Sequence, residues 1–563
     1  MPFNSYAFIF GLLPLAVAGF WLLSTLSGRV AGLLWLLAAS LAFYAYAGLV
    51  SLAIITPSIL LDYSIALALL RSIPSRERLR SLVFSMGIVA NVLLLGYFKY
   101  RNFFLDTVNT VLGTHLELTS LLLPLGLSFL TFQKIAFLAD VRSGQIKVVR
   151  FLDFLVFTLF FPRTVAGPIV HYQEIVPQLE HTTRRKMMTD LAVGISLFSL
   201  GLFKKAIVAD NLAPFVSPAF DPPVGSTQSV GPVALLTAWS GVLAYTFQLY
   251  FDFSGYSDMA SGIARMLGVR LPMNFNSPLK SRSIVEFWGR WHITLTRFLT
   301  AYIYTPLMLS MTRARITKNR PVLRGKHTAL STIVVLVGAP TFVTMTVSGL
   351  WHGAGWQFVV WGLLHAIYLT VNQTWCLLRP RFWSDQSSYD RVMRPLGFAL
   401  TFGAVVIALT FFRASSVTSA VTILAGMIGI NGILPHDAQT LQSLGASLNW
   451  TLIRALWQPI GPFLWIIVLF LVVTLLPNSL ELLRRFHPAL DFEEQAEGYN
   501  EPPVRPGQRG AKGKFAAARF RTAWAKLSTG VSLDPLTATA AALLFVLGVS
   551  AMNGGGAFLY WKF

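Results

Sequence analysis

Ser348-Gly349-Leu350-Trp351-His352-Gly353-Ala354-Gly355 divides two long apolar runs, 329–350 and 356–375. Each run is long enough to cross a bilayer as a helix, so the octet reads as the turn of a membrane hairpin. That turn holds an imidazole. An ionisable group so close to hydrocarbon is costly to keep and is by default a functional-site candidate. Glycine on the flanks of Trp351-His352 leaves the backbone open to close approach by a substrate, and Trp351 and Trp356 offer flat apolar walls. The competing reading is an interfacial belt, with the ring satisfied by a neighbouring backbone carbonyl.

The rest of the chain has the same character. Its 563 residues are 54% hydrophobic and 12% charged, with a mean hydropathy of +0.61, too little polar surface to cover a soluble globule. The apolar runs are uninterrupted rather than alternating, which selects a helical bundle over a barrel. The expected fold class is therefore an all-α polytopic membrane protein with about 11 to 12 spans plus re-entrant helices. The formal charge of +21 comes from Lys and Arg in short segments between apolar runs. That is a positive-inside pattern, and it sets nucleic acid aside as a partner in favour of membrane lipids. Cys376 is the only cysteine, which excludes an intrachain disulfide, a cysteine metal cluster and dithiol chemistry. Met1 to Tyr6 carry no basic residue before the apolar run 8–26, so that run reads as an uncleaved span.

Charge bias orients the spans. Runs 8–26, 30–47, 51–70, 82–98 and 120–140 cross in turn, with the basic segments 71–80 and 142–150 in the cytoplasm. The run 151–162 is too short to cross and reads as re-entrant; 284–308, with cations on both flanks, reads as a second such element. Runs 191–209, 232–252, 329–350, 356–375, 396–412, 459–476 and 537–552 are the remaining spans, and 416–434 fits a partly inserted outer helix. The organisation expected is a transmembrane core, 1–483, with its motifs in 90–375. A basic flexible cytoplasmic loop, 484–530, follows, and then 531–563, a last span with an extracytoplasmic tail.

Two further stretches carry polar groups. Segment 248–260 places Asp252 and Asp258, with the hydroxyls of Tyr250, Ser254, Tyr256 and Ser257, at the inner end of a span. A calcium loop starting at Asp252 fails, because Ser257 stands where glycine is needed and Ile263 where glutamate is. Two readings stay open: helix capping or pairing with Arg265 or Arg270, and the polar wall of a substrate cavity. The second stretch, Glu286-Phe287-Trp288-Gly289-Arg290-Trp291-His292, sets a histidine among aromatics in the second re-entrant element. By the orientation above, His292 approaches from inside and His352 from outside, so the two would meet in one pore. Neither has metal-ligand spacing, and no metal is expected. His365 lies 13 residues beyond His352, about 220° around a continuous helix, and reads as a packed helix residue. No nucleophile elbow, Walker loop or dinucleotide fingerprint is present.

Segments 248–260, 287–292 and 349–354 together resemble the membrane-bound O-acyltransferase superfamily, and most of all its bacterial alginate O-acetylation and teichoic acid D-alanylation branch. Weaker likeness through 95–100, 124–129 and 161–168 extends the resemblance over roughly 1–375. The resemblance implies a helical bundle around a central pore in the bacterial inner membrane, with His352 as catalytic residue and His292 as its companion. It also implies a cytoplasmic acyl thioester as donor substrate, acetyl-CoA or an acyl carrier, with no bound cofactor. The acceptor it implies is an exported polysaccharide reached through a periplasmic acyltransferase partner. Two departures bear on the acceptor: Gln133 stands where alginate-type proteins tend to carry a charge, and 484–530 is long and basic.

On this reading His352 deprotonates a hydroxyl as it attacks the thioester, an apolar wall favouring the neutral imidazole a base must be. His292 orients the donor or polarises its carbonyl, and Trp288, Trp291 and Trp351 exclude water. Arg290, Gln248, Tyr250, Asp252, Ser254, Tyr256 and Asp258 complete the substrate wall. The alternatives are a lipid or teichoic acid acceptor and, in another class, an export scaffold or transporter without catalysis. A transporter is expected to show an internal repeat, and neither polar segment recurs.

The C-terminal heptad 557–563 reads as an aromatic anchor, or, behind the glycines 554–556, as a tail that folds back over the outer mouth. Its pattern of an apolar pair, Tyr, two residues and terminal Phe resembles the tail of the small partner protein of teichoic acid D-alanylation. Tyr560 carries the only hydroxyl there, and a phenol of pKa about 10 makes a reactive ester, so Tyr560 is a candidate acyl relay with His352 as base.

Overall fold

The computed structural model describes residues 1–72, 77–119, 121–180, 187–221, 231–434, 450–490, 530–552 and 558–559, and the side chains of all of these except 72, 326 and 450–460. Regular structure among them is helical, with one isolated parallel bridge between Pro272 and Leu490. Ala7–Leu26, Arg29–Ala47, Leu49–Arg71, Glu77–Leu112, Met187–Phe220, Leu330–His352 and Gln386–Arg413 are each long and apolar enough to cross a membrane. Helices suit this setting because hydrocarbon offers no water to satisfy backbone N–H and C=O groups. The chain is an all-α polytopic membrane protein.

Three expected elements differ in extent. The helical run that begins at Glu77 continues to Leu112 through a π-helical turn, Gly96–Tyr100, well past the expected end at 98. The expected span 120–140 starts only at Leu127, because Pro124 and the left-handed Gly126 (φ 70°) hold the preceding residues out of the helix. The expected re-entrant element 284–308 is two pieces: a short helix, Ile284–Trp288, and a helical run from Ile293 that passes through a π-helical turn to Thr317. The other short run forms the nine-residue helix Phe151–Leu159, far short of a bilayer.

The chain divides into two compact units, and the division falls within the helix Leu235–Met266. The first comprises Met1–Ile207, Phe253–Asn276 and Pro477–Trp561. Two glycine pairs hold its helices close. A Cβ on Gly194 would lie 2.7 Å from the Gly262 carbonyl and one on Gly201 2.5 Å from that of Gly255, with the reciprocal contacts equally tight. Only hydrogen fits at such a crossing. A buried ion pair, Lys134 Nζ to Asp62 Oδ2 at 3.1 Å, joins the helices Leu127–Arg142 and Leu49–Leu67. Asn91 donates to the same carboxylate at 2.7 Å, and Lys134 donates to Ser58 at 2.8 Å. Gln133, beside this pair, donates to the Phe157 carbonyl.

Of the expected loop 484–530, residues 491–529 lie outside the described residues. Its start is held in the first unit: Leu490 N–H donates to the Leu271 carbonyl, and Arg265 donates to the carbonyls of Phe486 and His487. Tyr560 also lies outside the described residues. Two residues before it, Phe558 is buried in the first unit, T-shaped to Tyr256 at 4.5 Å and under the Lys205 ammonium at 4.8 Å.

The second unit comprises Val208–Asp252 and Ser277–Leu476. Its centre is the hairpin of Ala339–His352 and Trp356–Leu378. Gly353 and Gly355 are extended (φ −161° and −173°), which ends one helix and starts the next as the sequence suggested. The two helices approach through glycine: a Cβ on Gly349 would meet the Phe358 carbonyl at 2.3 Å and one on Gly362 the Met345 carbonyl at 2.4 Å.

Candidate active site

His352 is the last residue of the helix Ala339–His352 and is buried. Its ring lies 5.0 Å from Trp351, 5.0 Å from Trp361 and 5.1 Å from Phe412, all T-shaped. His292 is fully buried, and its ring is 6.2 Å from the other side of this arrangement, Trp351. One indole therefore touches both histidines. The expected convergence of 287–292 and 349–354 is present within the second unit.

His292 precedes the helix Ile293–Leu299 in a left-handed conformation, φ 44° and ψ 51°, and its carbonyl accepts from the N–H groups of Leu295 and Thr296. Histidine enters this region more readily than most side chains, though any residue other than glycine meets some strain there. The preceding short helix is capped by Ser283, whose Oγ accepts from Glu286 N–H, while Glu286 receives Arg282 N–H and pairs with Arg290 at 2.9 Å. Arg290 is thus held by an acid of its own element.

His365 is a packed helix residue, as expected, and sits in the same cluster; only the angular argument behind that expectation is corrected. Gly353–Gly355 break the helix and reverse it, so the angular argument from His352 does not apply. Trp288 Nε1 donates to His365 Nδ1 at 3.2 Å, which leaves the proton of a neutral imidazole on Nε2. Trp361 packs against His352, His365 and Trp288 at 5.0, 4.8 and 5.8 Å. Phe287 stacks on Trp291 at 5.6 Å, and Trp291 reaches Tyr250 at 6.4 Å. Trp361 and Phe412 are the members that sequence reasoning passed over, and His365, read only as a packed helix residue, joins them. The spacing of 361 and 365, one helical turn, is the signal that was there to use. Trp356, expected as a wall, is 55% exposed.

The polar segment 248–260 is helical throughout, so Asp252 and Asp258 do not cap a helix end. Gln248, Tyr250 and Asp252 are buried and belong to the second unit. Ser254, Tyr256 and Asp258 are buried and are described within the first. There Tyr256 donates to the Thr164 carbonyl at 2.6 Å, and Asp258 pairs with Lys204 at 2.7 Å and accepts from Ser479 at 2.6 Å. For Asp258 the partner is thus Lys204, where Arg265 or Arg270 was expected, and Arg265 pairs with Asp190 at 2.9 Å. Among the described residues no three His, Cys, Asp or Glu side chains are grouped to hold a metal ion.

A model of the membrane-bound O-acyltransferase family matches residues 83–318, which takes in His292 and stops short of His352. The peptidoglycan O-acetyltransferase of Helicobacter pylori is 35% identical over 85% of this chain and 90% of that protein. The chain belongs to the membrane-bound O-acyltransferase family. This O-acyltransferase is also similar to the probable alginate O-acetylase AlgI of Azotobacter vinelandii, 35% identical over 78% of the chain and 81% of that protein. The teichoic acid D-alanyltransferase of Streptococcus thermophilus is 27% identical over 54% and 70%. As a membrane-bound O-acyltransferase the chain is a multi-pass membrane enzyme, and the likeness to alginate O-acetylase reaches past the family-model match to most of its length.

Proposed function

We propose that this enzyme transfers an acetyl group from a cytoplasmic thioester to hydroxyl groups of a cell-envelope glycan, passing it through the inner membrane to an extracytoplasmic acyltransferase partner. The observation that carries the reading is the single indole, Trp351, in contact with both His292 and His352. His352 takes the proton of the attacking hydroxyl, and His292 holds the donor. The aromatic cage of Trp288, Trp291, Trp351 and Trp361 keeps water from hydrolysing the thioester. The acetyl group follows from the names of the relatives, two of which are acetyl-transferring. Acetyl-CoA is the proposed donor, with the cations of 313–326 as proposed partners of its phosphates.

Among glycans, peptidoglycan is favoured over an alginate-type polymer by one observation: the likeness to the peptidoglycan enzyme covers 90% of that protein, against 81% for the alginate one. Tyr560 is the proposed intermediate carrier of the acyl group, and Phe558 in its buried seat is the anchor of its tail. His352→Ala should lower ester-linked acetate on the envelope glycan by on the order of 10²- to 10⁴-fold, the range of a general base, with the protein still inserted. Mass spectrometry of the isolated glycans reads the result. Wild-type acetate in that strain removes His352 as base, and acetate found on lipid or teichoic acid instead replaces the acceptor.

A further inference from the structure

Hydroxyl groups on helices within a membrane are ordinarily satisfied by the carbonyl one turn back. On the His352 helix, Thr341 Oγ1 donates to the Val337 carbonyl and Thr344 Oγ1 to that of Pro340, both at 2.7 Å. Ser348 continues the same face, seven residues after Thr341 and four before His352. It is fully buried, yet its Oγ has no hydrogen-bond partner among the described residues. A buried unsatisfied hydroxyl costs about 1–3 kcal/mol.

A second donor repeats the exception. The indole N–H groups of Trp21, Trp35, Trp239, Trp288 and Trp375 each reach an acceptor. Trp361 Nε1 reaches none among the described residues, although Trp361 is 3% exposed and its ring touches His352. Two buried, unsatisfied donors thus belong to the residues beside one histidine: Ser348 a turn before it, and Trp361 across the hairpin. Phe412, the third ring on His352, brings no polar atom that could satisfy either.

We propose that Ser348 Oγ–H and Trp361 Nε1–H are the hydrogen-bond seat for the carbonyl oxygen of the acyl thioester. This rests on His352 acting as the base. The acceptor hydroxyl loses its proton to His352 as its oxygen bonds to the carbonyl carbon, and the C=O π pair moves onto the oxygen held by the two donors. When the C=O bond re-forms, the C–S bond breaks and the thiolate takes the proton back from the imidazolium. Donors already in place in an apolar pocket stabilise the negative oxygen more than they stabilise the neutral carbonyl, and that difference is what lowers the barrier. The unsatisfied state of the resting site is the cost of having them ready.

Cells fed isotope-labelled acetate give the readout: the rate at which label appears as ester on the envelope glycan, per inserted copy of enzyme, with the thermal midpoint of each purified variant. Ser348→Ala removes an unsatisfied group, so its midpoint should hold or rise while the rate falls on the order of 10²- to 10³-fold, the cost of one oxyanion donor. Trp361→Phe keeps the ring and removes the N–H, with a similar loss of rate. Wild-type rates in Ser348→Ala and Trp361→Phe beside an inactive His352→Ala overturn the seat and leave the base standing. A Ser348→Ala enzyme whose rate falls only in step with a lowered midpoint makes the serine structural and also overturns it. If His352→Ala is itself at the wild-type rate, the base fails and the seat fails with it.

Discussion

The indole of Trp361 stands T-shaped to the imidazole of His352, ring centroids 5.0 Å apart and planes at 84°, and the same indole lies 4.8 Å from His365. A side chain one turn from His365 thereby couples the hairpin that carries His352 to the segment that carries Trp288 and His292. The cluster is a single packed object, so changes at its rim should be felt at the histidines.

His365 is the acceptor for Trp288 Nε1, and removing it should be read first as lost stability. His365→Leu leaves a buried indole N–H without a partner and should cost about 1–3 kcal/mol, seen as a lower thermal midpoint in detergent. Adding Trp288→Phe removes the orphaned donor, and the double variant should regain part of that loss. Simple additivity of the two changes would mean that the 3.2 Å hydrogen bond does not couple them.

The glycine contacts of the hairpin give a sharper contrast. Gly362→Ala would put a Cβ 2.4 Å from the Met345 carbonyl, so the helices must separate, at about 1–3 kcal/mol for overpacking, and acyl transfer should fall with the midpoint. Gly403→Ala, in the helix Gln386–Arg413, meets nothing within 4 Å. There the gain in helix propensity, about 0.5–1 kcal/mol, should hold or raise the midpoint. Equal midpoints for the two variants would contradict the close approach.

Asp258 separates a polar wall from an internal brace. Asp258→Asn leaves the half-buried Lys204 without its counter-charge and should lower stability by about 1–3 kcal/mol, seen as a lower midpoint, and Lys204→Met in the same chain should restore much of it. An unchanged midpoint with reduced acyl transfer would instead put Asp258 in contact with substrate.

Topology is checked with single cysteines in a Cys376→Ser background and an impermeant thiol reagent. Arg320→Cys, at an exposed position, should label only from the cytoplasmic side, and Ala354→Cys, also exposed, only from outside. Labelling of residue 320 from outside would remove the transmembrane route for the acyl group.

The helical membrane architecture was legible because uninterrupted apolar runs and basic gaps are dictated by the bilayer itself. The convergence of His292 and His352 was legible because charge bias brings their two segments toward the membrane centre from opposite sides. What stayed hidden depended on distant partners. Lys204, 54 residues from Asp258, leaves no local sign of its pairing. The extent of 120–140 was misjudged because hydropathy does not register what Pro124 and Gly126 do to the backbone. The glycines of the two contacts lie seven residues apart on each helix, 194 and 201 on one and 255 and 262 on the other, a spacing that a search for helix-contact motifs would find. That His365 is a packed helix residue was legible, but its neighbours in the cluster were hidden by treating two helices as one.

The left-handed backbone at His292 changes what a mutation there can report. With φ at 44° and ψ at 51°, the residue occupies a region that costs an ordinary side chain about 1–2 kcal/mol and costs asparagine or glycine less. His292→Ala therefore combines loss of the imidazole with a backbone preference that the mutant meets differently from the native residue, and a dead His292→Ala enzyme is ambiguous. His292→Asn accepts the same turn while removing the ring. Inactivity in that variant, with its midpoint intact, speaks for the imidazole alone, whereas activity restored in His292→Asn but absent in His292→Ala would make the residue a conformational pivot whose chemistry is incidental.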